Sequence, residues 1–278
     1  MASPGIVRRG RLTLLESRAP QPRYPGVLFV HGYLADAREF EHWLPLFADR
    51  GFPSWAVHLR GRAGSEPAEP LGRIGMADFV EDARTAAQSV GARFVVGHSM
   101  GGLIAQCLAA EGSVDAAVLI SPAPPRGISV LSAELVAAQL KYLPSLLMSR
   151  AVNPGRRDLR KLVMNCVPAG EQDTLLDAMR PDSGRAGREM SLLGVPVDAD
   201  RVRCPLLVLA GQDDRFIPCR VAKRIAERYG VTAEILPRHG HMIPFEPGWS
   251  EVANYVADWL AQVATPTGDA PTTTSAHA

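Results

Sequence analysis

A serine hydroxyl attacks a carbonyl only when an imidazole can take its proton and a third group holds that imidazole in place. Three stretches of this chain carry residue types suited to such a relay. The first is Gly97-His98-Ser99-Met100-Gly101, which follows the strand-type run Arg93-Phe94-Val95-Val96 and precedes a helix-type run over 102–110. A serine at a strand-to-helix corner is held in strained backbone geometry that lifts its hydroxyl out of the sheet. Side chains in place of the flanking glycines would collide with neighbouring backbone. The second stretch is His239-Gly240-His241-Met242, after the last expected strand. A short loop there can return His241 over the sheet edge to Ser99, with His239 as the rival base. The third is Gly211-Gln212-Asp213-Asp214, directly after the apolar run 205–210. Asp214 is the expected orienting acid; Asp213 is its rival, with capping of the next turn as its alternative role.

The oxyanion that forms on attack needs backbone donors. One is the Met100 amide, at the N-terminus of the helix after the corner, where the helix dipole favours negative charge. The second is expected from the loop after His31-Gly32: the Tyr33 amide, with Leu34 as the fallback. His31 is read as positioning that loop through hydrogen bonds, outside the chemistry.

These residues need a scaffold, and the apolar runs supply one. Val27–Val30, Ser54–Val57, Arg93–Val96, Ala116–Ile120, Pro205–Ala210 and Ala233–Leu236 read as strands. Asp36–Asp49 (Asp36 as N-cap), Ala77–Val90, Cys219–Tyr229 and Trp249–Val263 read as helices between or after them. Continuous rather than alternating apolar strands imply burial on both faces. The expectation is an α/β fold, a mostly parallel central sheet flanked by helices. Residues 126–202 break the alternation with helical patterns such as Ala133–Leu147 and Leu159–Asn165. They read as a helical cap inserted into a core made of 1–125 and 203–264, with 265–278 as a disordered tail.

Composition narrows the function classes. The 278 residues carry a net charge of +1, which argues for neither nucleic acid nor a membrane surface as partner. No apolar run reaches the roughly 18 residues of a membrane span. The N-terminal MASPGIVRRGRL has no apolar core behind its basic residues and does not read as a signal peptide, so a cytoplasmic location is expected. Cys107, Cys166, Cys204 and Cys219 are scattered, which suggests neither zinc nor a disulfide framework. No cofactor or metal is expected, Cys107 is expected to be buried, and the oligomeric state leaves no trace in the sequence.

The expected cap holds Leu131, Leu135, Leu140, Tyr142, Leu143, Leu146, Leu147 and Met148 at mostly helical spacing. Most should pack on the core; the rest, with Leu143 and Leu146 foremost, should line an apolar pocket, and Tyr142 would donate a hydrogen bond to substrate. Arg156, Arg157, Arg160 and Lys161 read as a solvated basic face, or as an attractor for a substrate carboxylate or phosphate.

His31-Gly32-Tyr33, Gly97–Gly102, Gly211–Asp214 and Gly240-His241, in that order, resemble the α/β-hydrolase fold family in its serine esterase/lipase-like branch. The resemblance implies Ser99 as nucleophile, Asp214 as acid, His241 as base and the Tyr33 and Met100 amides as oxyanion donors. It implies an enzyme that cleaves a small-molecule ester with an apolar portion, or a thioester or lactone, through an acyl-enzyme. A ligand-binding or receptor-like member, an acyltransferase and a C–C hydrolase stay open as alternatives. Ser99 argues against the haloalkane dehalogenases and epoxide hydrolases, whose nucleophile is Asp. One departure is His58-Leu59-Arg60-Gly61-Arg62-Ala63-Gly64-Ser65, where many relatives place an Asp ahead of Arg-Gly-x-Gly-x-Ser.

Overall fold

Strands buried on both faces have to share one sheet, and they do. The computed structural model describes residues 3–66, 69–130 and 140–264. Eight strands, β1 (Gly5–Arg9), β2 (Leu12–Ser17), β3 (Gly26–Val30), β4 (Ser54–His58), β5 (Ala92–His98), β6 (Ala116–Ile120), β7 (Leu206–Gly211) and β8 (Ala233–Leu236), run in the order β1-β2-β4-β3-β5-β6-β7-β8. The six from β4 to β8 are parallel, and β1 and β2 add an antiparallel edge. That edge hairpin goes beyond the strands read from sequence. β1 is largely exposed, so its residues carry no buried-strand signature.

Side chains alternate across the sheet at period two. Val27 and Phe29 face the helices α1 (Trp43–Asp49) and α8 (Trp249–Ala264), in a cluster with Phe40, Trp43 and Phe47. Leu28 and Val30 face α2 (Met76–Val90), α3 (Met100–Glu111) and α7 (Cys219–Arg228). The helix expected over Asp36–Asp49 is split into a 3-10 turn, Ala37–Phe40, and α1. Pro45 explains the restart. Inside a continuous helix it would remove a hydrogen bond and clash with the preceding turn, whereas the third position of α1 asks for no amide donor. Asp36 caps the 3-10 turn as expected, accepting from the Arg38 amide at 2.9 Å. Cys107 is half-buried rather than enclosed, and burial pushes its thiol up to about 12.

Between β6 and β7 the described residues hold α4 (Leu143–Leu147), a short helical stretch Arg156–Asp158 running into a π turn Leu159–Val163, α5 (Ala169–Ala178) and α6 (Gly184–Arg188), which runs into a second π turn, Glu189–Leu193. A bridge between Val152 and Asp182 ties this insertion to itself. Leu131 and Leu135, most of the helix expected over Ala133–Leu147, and the expected tail 265–278 lie outside the described residues. Among the described residues no helix is long and apolar enough to cross a membrane.

The sheet order reverses at β3: the chain steps to β4 on one side, then to β5 on the other. Ligands of open α/β sheets bind at the carboxyl ends of strands beside such a reversal. Here it sets the loop after β3 next to the corner after β5. Gly101 lets them approach. A Cβ there would stand 2.0 Å from the Val30 carbonyl oxygen, and one at Gly97 would stand 2.1 Å from the carbonyl oxygen of Gly101. Backbone would have to move in either case. Gly101→Ala is therefore expected to cost about 3 kcal/mol of unfolding free energy in urea titrations, at the upper end of overpacking effects.

Candidate active site

The corner after β5 is strained as the sequence suggests. Ser99 sits at φ 53°, ψ −113°, a region that a residue with a Cβ rarely adopts. Hydrogen bonds over-determine it. Its amide donates to the Ile120 carbonyl (3.0 Å), and its carbonyl accepts from the Gly102 (3.0 Å) and Ala123 (2.9 Å) amides.

From this corner a chain of hydrogen bonds runs across the C-terminal edge of the sheet. The Ser99 Oγ lies 3.1 Å from His241 Nε2, and His241 Nδ1 lies 2.8 Å from Asp214 Oδ2. With Nδ1–H donating to the carboxylate, Nε2 keeps its lone pair for the serine proton. The other Asp214 oxygen accepts from the Phe216 (2.8 Å) and Ile217 (2.7 Å) amides. Asp214 thus also caps the turn that the sequence reading offered to Asp213. The rivals stand apart: Asp213 is exposed, and His239 pairs through Nδ1 with Glu246 at 3.1 Å.

Two buried glutamates, not singled out from the sequence, frame this line. Glu246 accepts from the amides of Gly240 (2.8 Å) and Met242 (3.0 Å), one on each side of His241. Glu39 accepts from the Gly32 amide (2.7 Å) and lies 2.6 Å from His98 Nδ1. The other nitrogen of His98 lies 2.8 Å from the His241 carbonyl oxygen. Nε2–H therefore donates to the His241 carbonyl, while Nδ1 faces the Glu39 carboxyl group. Burial alone would lower its pKa, but the Glu39 charge and hydrogen bond outweigh that and raise it.

His31 behaves as expected. Its Nδ1 lies 2.8 Å from the Gly32 carbonyl oxygen, and burial first, then the Arg62 charge, lowers its pKa. Its Nδ1–H donates to that carbonyl and steadies the loop. His58, at the position of the family departure, is neutral for the same reason: burial lowers its pKa to about 4.

The amides of Tyr33 and Met100 are engaged by no acceptor among the described residues, and both residues border the cavity over Ser99. Leu34 is corrected as the fallback donor. Its amide is already committed to Asp182 Oδ2 at 2.8 Å. The cavity has a volume of about 240 Å³, with apolar walls that include Leu34, Val130, Leu146, Leu159, Leu162 and Met179. Leu146 lines it as expected, but Leu143 does not border it. Tyr142 reaches the wall with its hydroxyl spent, donating to Asp158 (2.8 Å) and accepting from the Gly155 amide (2.9 Å). Leu140, Leu147 and Met148 are exposed and neither pack nor line. A helix of five residues such as α4 can bury only one stripe. Arg156 and Arg160 are matched by Asp173, and Arg156 also by Asp177, which leaves them as a paired surface rather than an anion trap.

The raised pKa of His98 has a signed consequence. Its contribution is fully present below the unfolded value near 6.5 and is lost as pH rises through the folded value. The stability gap between the protein and His98→Gln, from urea titrations, is expected to be larger at pH 6 than at pH 9.

A family model described as the alpha/beta hydrolase family matches residues 27–255. A monoacylglycerol lipase of Mycolicibacterium smegmatis is 28% identical over 247 residues, covering 84% of this chain and 87% of that protein. Among solved structures, a thermophilic esterase from Thermogutta terrifontis superposes with a TM-score of 0.67 at 20% identity, covering 95% of this chain and 99% of its own. The carboxylesterase of Bacillus subtilis superposes with a TM-score of 0.68 at 20% identity, over 94% and 93%. At that identity the structural likenesses speak for the fold.

Proposed function

The chain belongs to the alpha/beta hydrolase family, and we propose that it hydrolyses carboxylic esters through an acyl-enzyme on Ser99. The observation that carries this reading is the unbroken line from Ser99 Oγ through His241 to Asp214 at the floor of an apolar cavity. The names of its relatives, a monoacylglycerol lipase and two esterases among them, support an ester as the bond cleaved.

In this reading His241 Nε2 takes the Ser99 proton as the oxygen attacks the ester carbonyl. The tetrahedral oxyanion falls to the two uncommitted amides, Tyr33 and Met100, the latter at the head of α3. Collapse expels the alcohol, which His241 protonates. Water, deprotonated by the same imidazole, then frees the acid. Asp214 holds the imidazole tautomer and stabilises the imidazolium between steps. Thioesters and lactones need the same parts. The helical segment 126–202 serves as the cap: its apolar side chains take the hydrocarbon part of a neutral substrate, and no unpaired cation among the named wall residues favours an anionic one.

Turnover of p-nitrophenyl butyrate tests the assignment. Ser99→Ala should lose about six orders of magnitude in kcat, as for serine enzymes whose relay acts as a unit. Asp214→Asn should lose roughly 10⁴-fold through the wrong tautomer. A fluorophosphonate probe should label the wild-type protein at Ser99 and leave Ser99→Ala unlabelled. Wild-type rates in either variant would remove that residue from the scheme.

A further inference from the structure

The loop after β3 spends its amides in an ordered way. The Gly32 amide goes to Glu39, and the Leu34 amide goes to Asp182. The Tyr33 amide between them is left uncommitted. The Ala35 amide closes back on the Gly32 carbonyl at 3.3 Å, so residues 32–35 form a turn. Leu34 occupies its third position at φ +67°, while Tyr33 has no positive φ. That combination is a type II turn, in which the central peptide is turned over relative to type I and the third position favours glycine. A buried leucine there must be held from outside.

We propose that Asp182 is that hold: a positioning residue, delivered by the insertion, that fixes the aim of the Tyr33 amide at the oxyanion. The proposal rests on the reading of Ser99 as nucleophile. The Leu34 amide donates to Asp182 Oδ2 at 2.8 Å, and its carbonyl accepts from the Arg180 amide at 3.0 Å. Both polar groups of the strained residue are therefore tied to one segment of the insertion. Turning over the central peptide, Tyr33 C=O with Leu34 N–H, would remove the donor and present the Tyr33 carbonyl oxygen to the Asp182 carboxylate, anion against dipole. It would also shift the turn that holds the preceding Gly32–Tyr33 peptide, which carries the Tyr33 amide. The same contact thus favours one orientation and penalises the other.

Asp182 is itself immobilised. It is fully buried, ion-paired with Arg62, and accepts from the Ser183 amide at 2.7 Å. Its backbone pairs with Val152 in both directions, at 2.8 and 3.0 Å. Arg62 completes the clamp by donating to the carbonyls of Ala35 and Pro181, each at 2.8 Å. The Tyr33 hydroxyl adds a tether to the Ser183 carbonyl at 2.7 Å, and burial, then the Asp182 charge, hold its pKa well up, so it stays a donor.

The test is kcat, KM and thermal stability on p-nitrophenyl butyrate for the full chain. Asp182→Ala should lose about 10²-fold in kcat, the scale of one misaimed oxyanion donor, with KM within about threefold. Asp182→Asn keeps an acceptor for the Leu34 amide, so it should stay within about tenfold in kcat while losing as much stability as Asp182→Ala. Adding Leu34→Gly to Asp182→Ala should return kcat about tenfold without returning stability, because glycine adopts the positive φ freely. Should Asp182→Ala not fold, Asp182→Leu with Arg62→Met leaves no buried charge unpaired and should show the same kcat loss. Equal kcat in wild type and in the folded Asp182 variants, or equal losses in the Ala and Asn variants, overturns the role of Asp182. A wild-type protein inert to both the ester and a fluorophosphonate overturns the reading of Ser99 instead.

Discussion

The arrangement depends on one imidazole held between two oxygens. A carboxylate on Nδ1 decides which tautomer of His241 faces Ser99, and the other tautomer, with its proton on Nε2, would offer the serine a donor instead of an acceptor. A neutral partner in place of Asp214 would leave that choice open. Around this imidazole the protein repeats one device. Asp214, Glu246, Glu39 and Asp182 are buried carboxylates, and each accepts backbone amides of the loops at the C-terminal edge of the sheet. A buried carboxylate is costly unless its oxygens are satisfied. The loops that satisfy it give up their freedom in doing so.

The sheet explains why four such loops can meet. β3, β5, β6, β7 and β8 are neighbours and parallel, so their carboxyl ends share one edge. Ser99 follows β5, Tyr33 follows β3, Asp214 follows β7 and His241 follows β8. None of these residues reaches the site through a long side chain; each is brought there by the strand that precedes it. Glu39 and Glu246 then hold the loops beside Tyr33 and His241 by accepting their amides.

Much of this was legible in the residue order. Ser99, His241 and Asp214 each follow an apolar run too continuous to be anything but a buried strand, so their common edge follows from strand positions alone. The choice of Asp214 over Asp213 was legible only as a preference. Burial decides it, and two adjacent aspartates have the same composition signal. Glu39, Asp182 and Glu246 were not legible, because a carboxylate that turns inward looks in sequence like one that turns to solvent. Their partners are backbone amides, which leave no residue-type signature. Tyr142 misled for the opposite reason: its hydroxyl suits a ligand, but Asp158 and the Gly155 amide claim it. The exposed β1 escaped because pattern arguments need a buried face that it does not provide.

The serine and its imidazole are 142 residues apart. A chain made from its N-terminus completes the strained corner long before the residues that can accept its proton exist outside the ribosome. On the proposed reading of Ser99 as nucleophile, the growing polypeptide carries through most of its synthesis an alcohol no more reactive than any other. Reactivity would then arrive late, when the last strand docks, so a molecule interrupted before that point would be inert toward acyl groups around it.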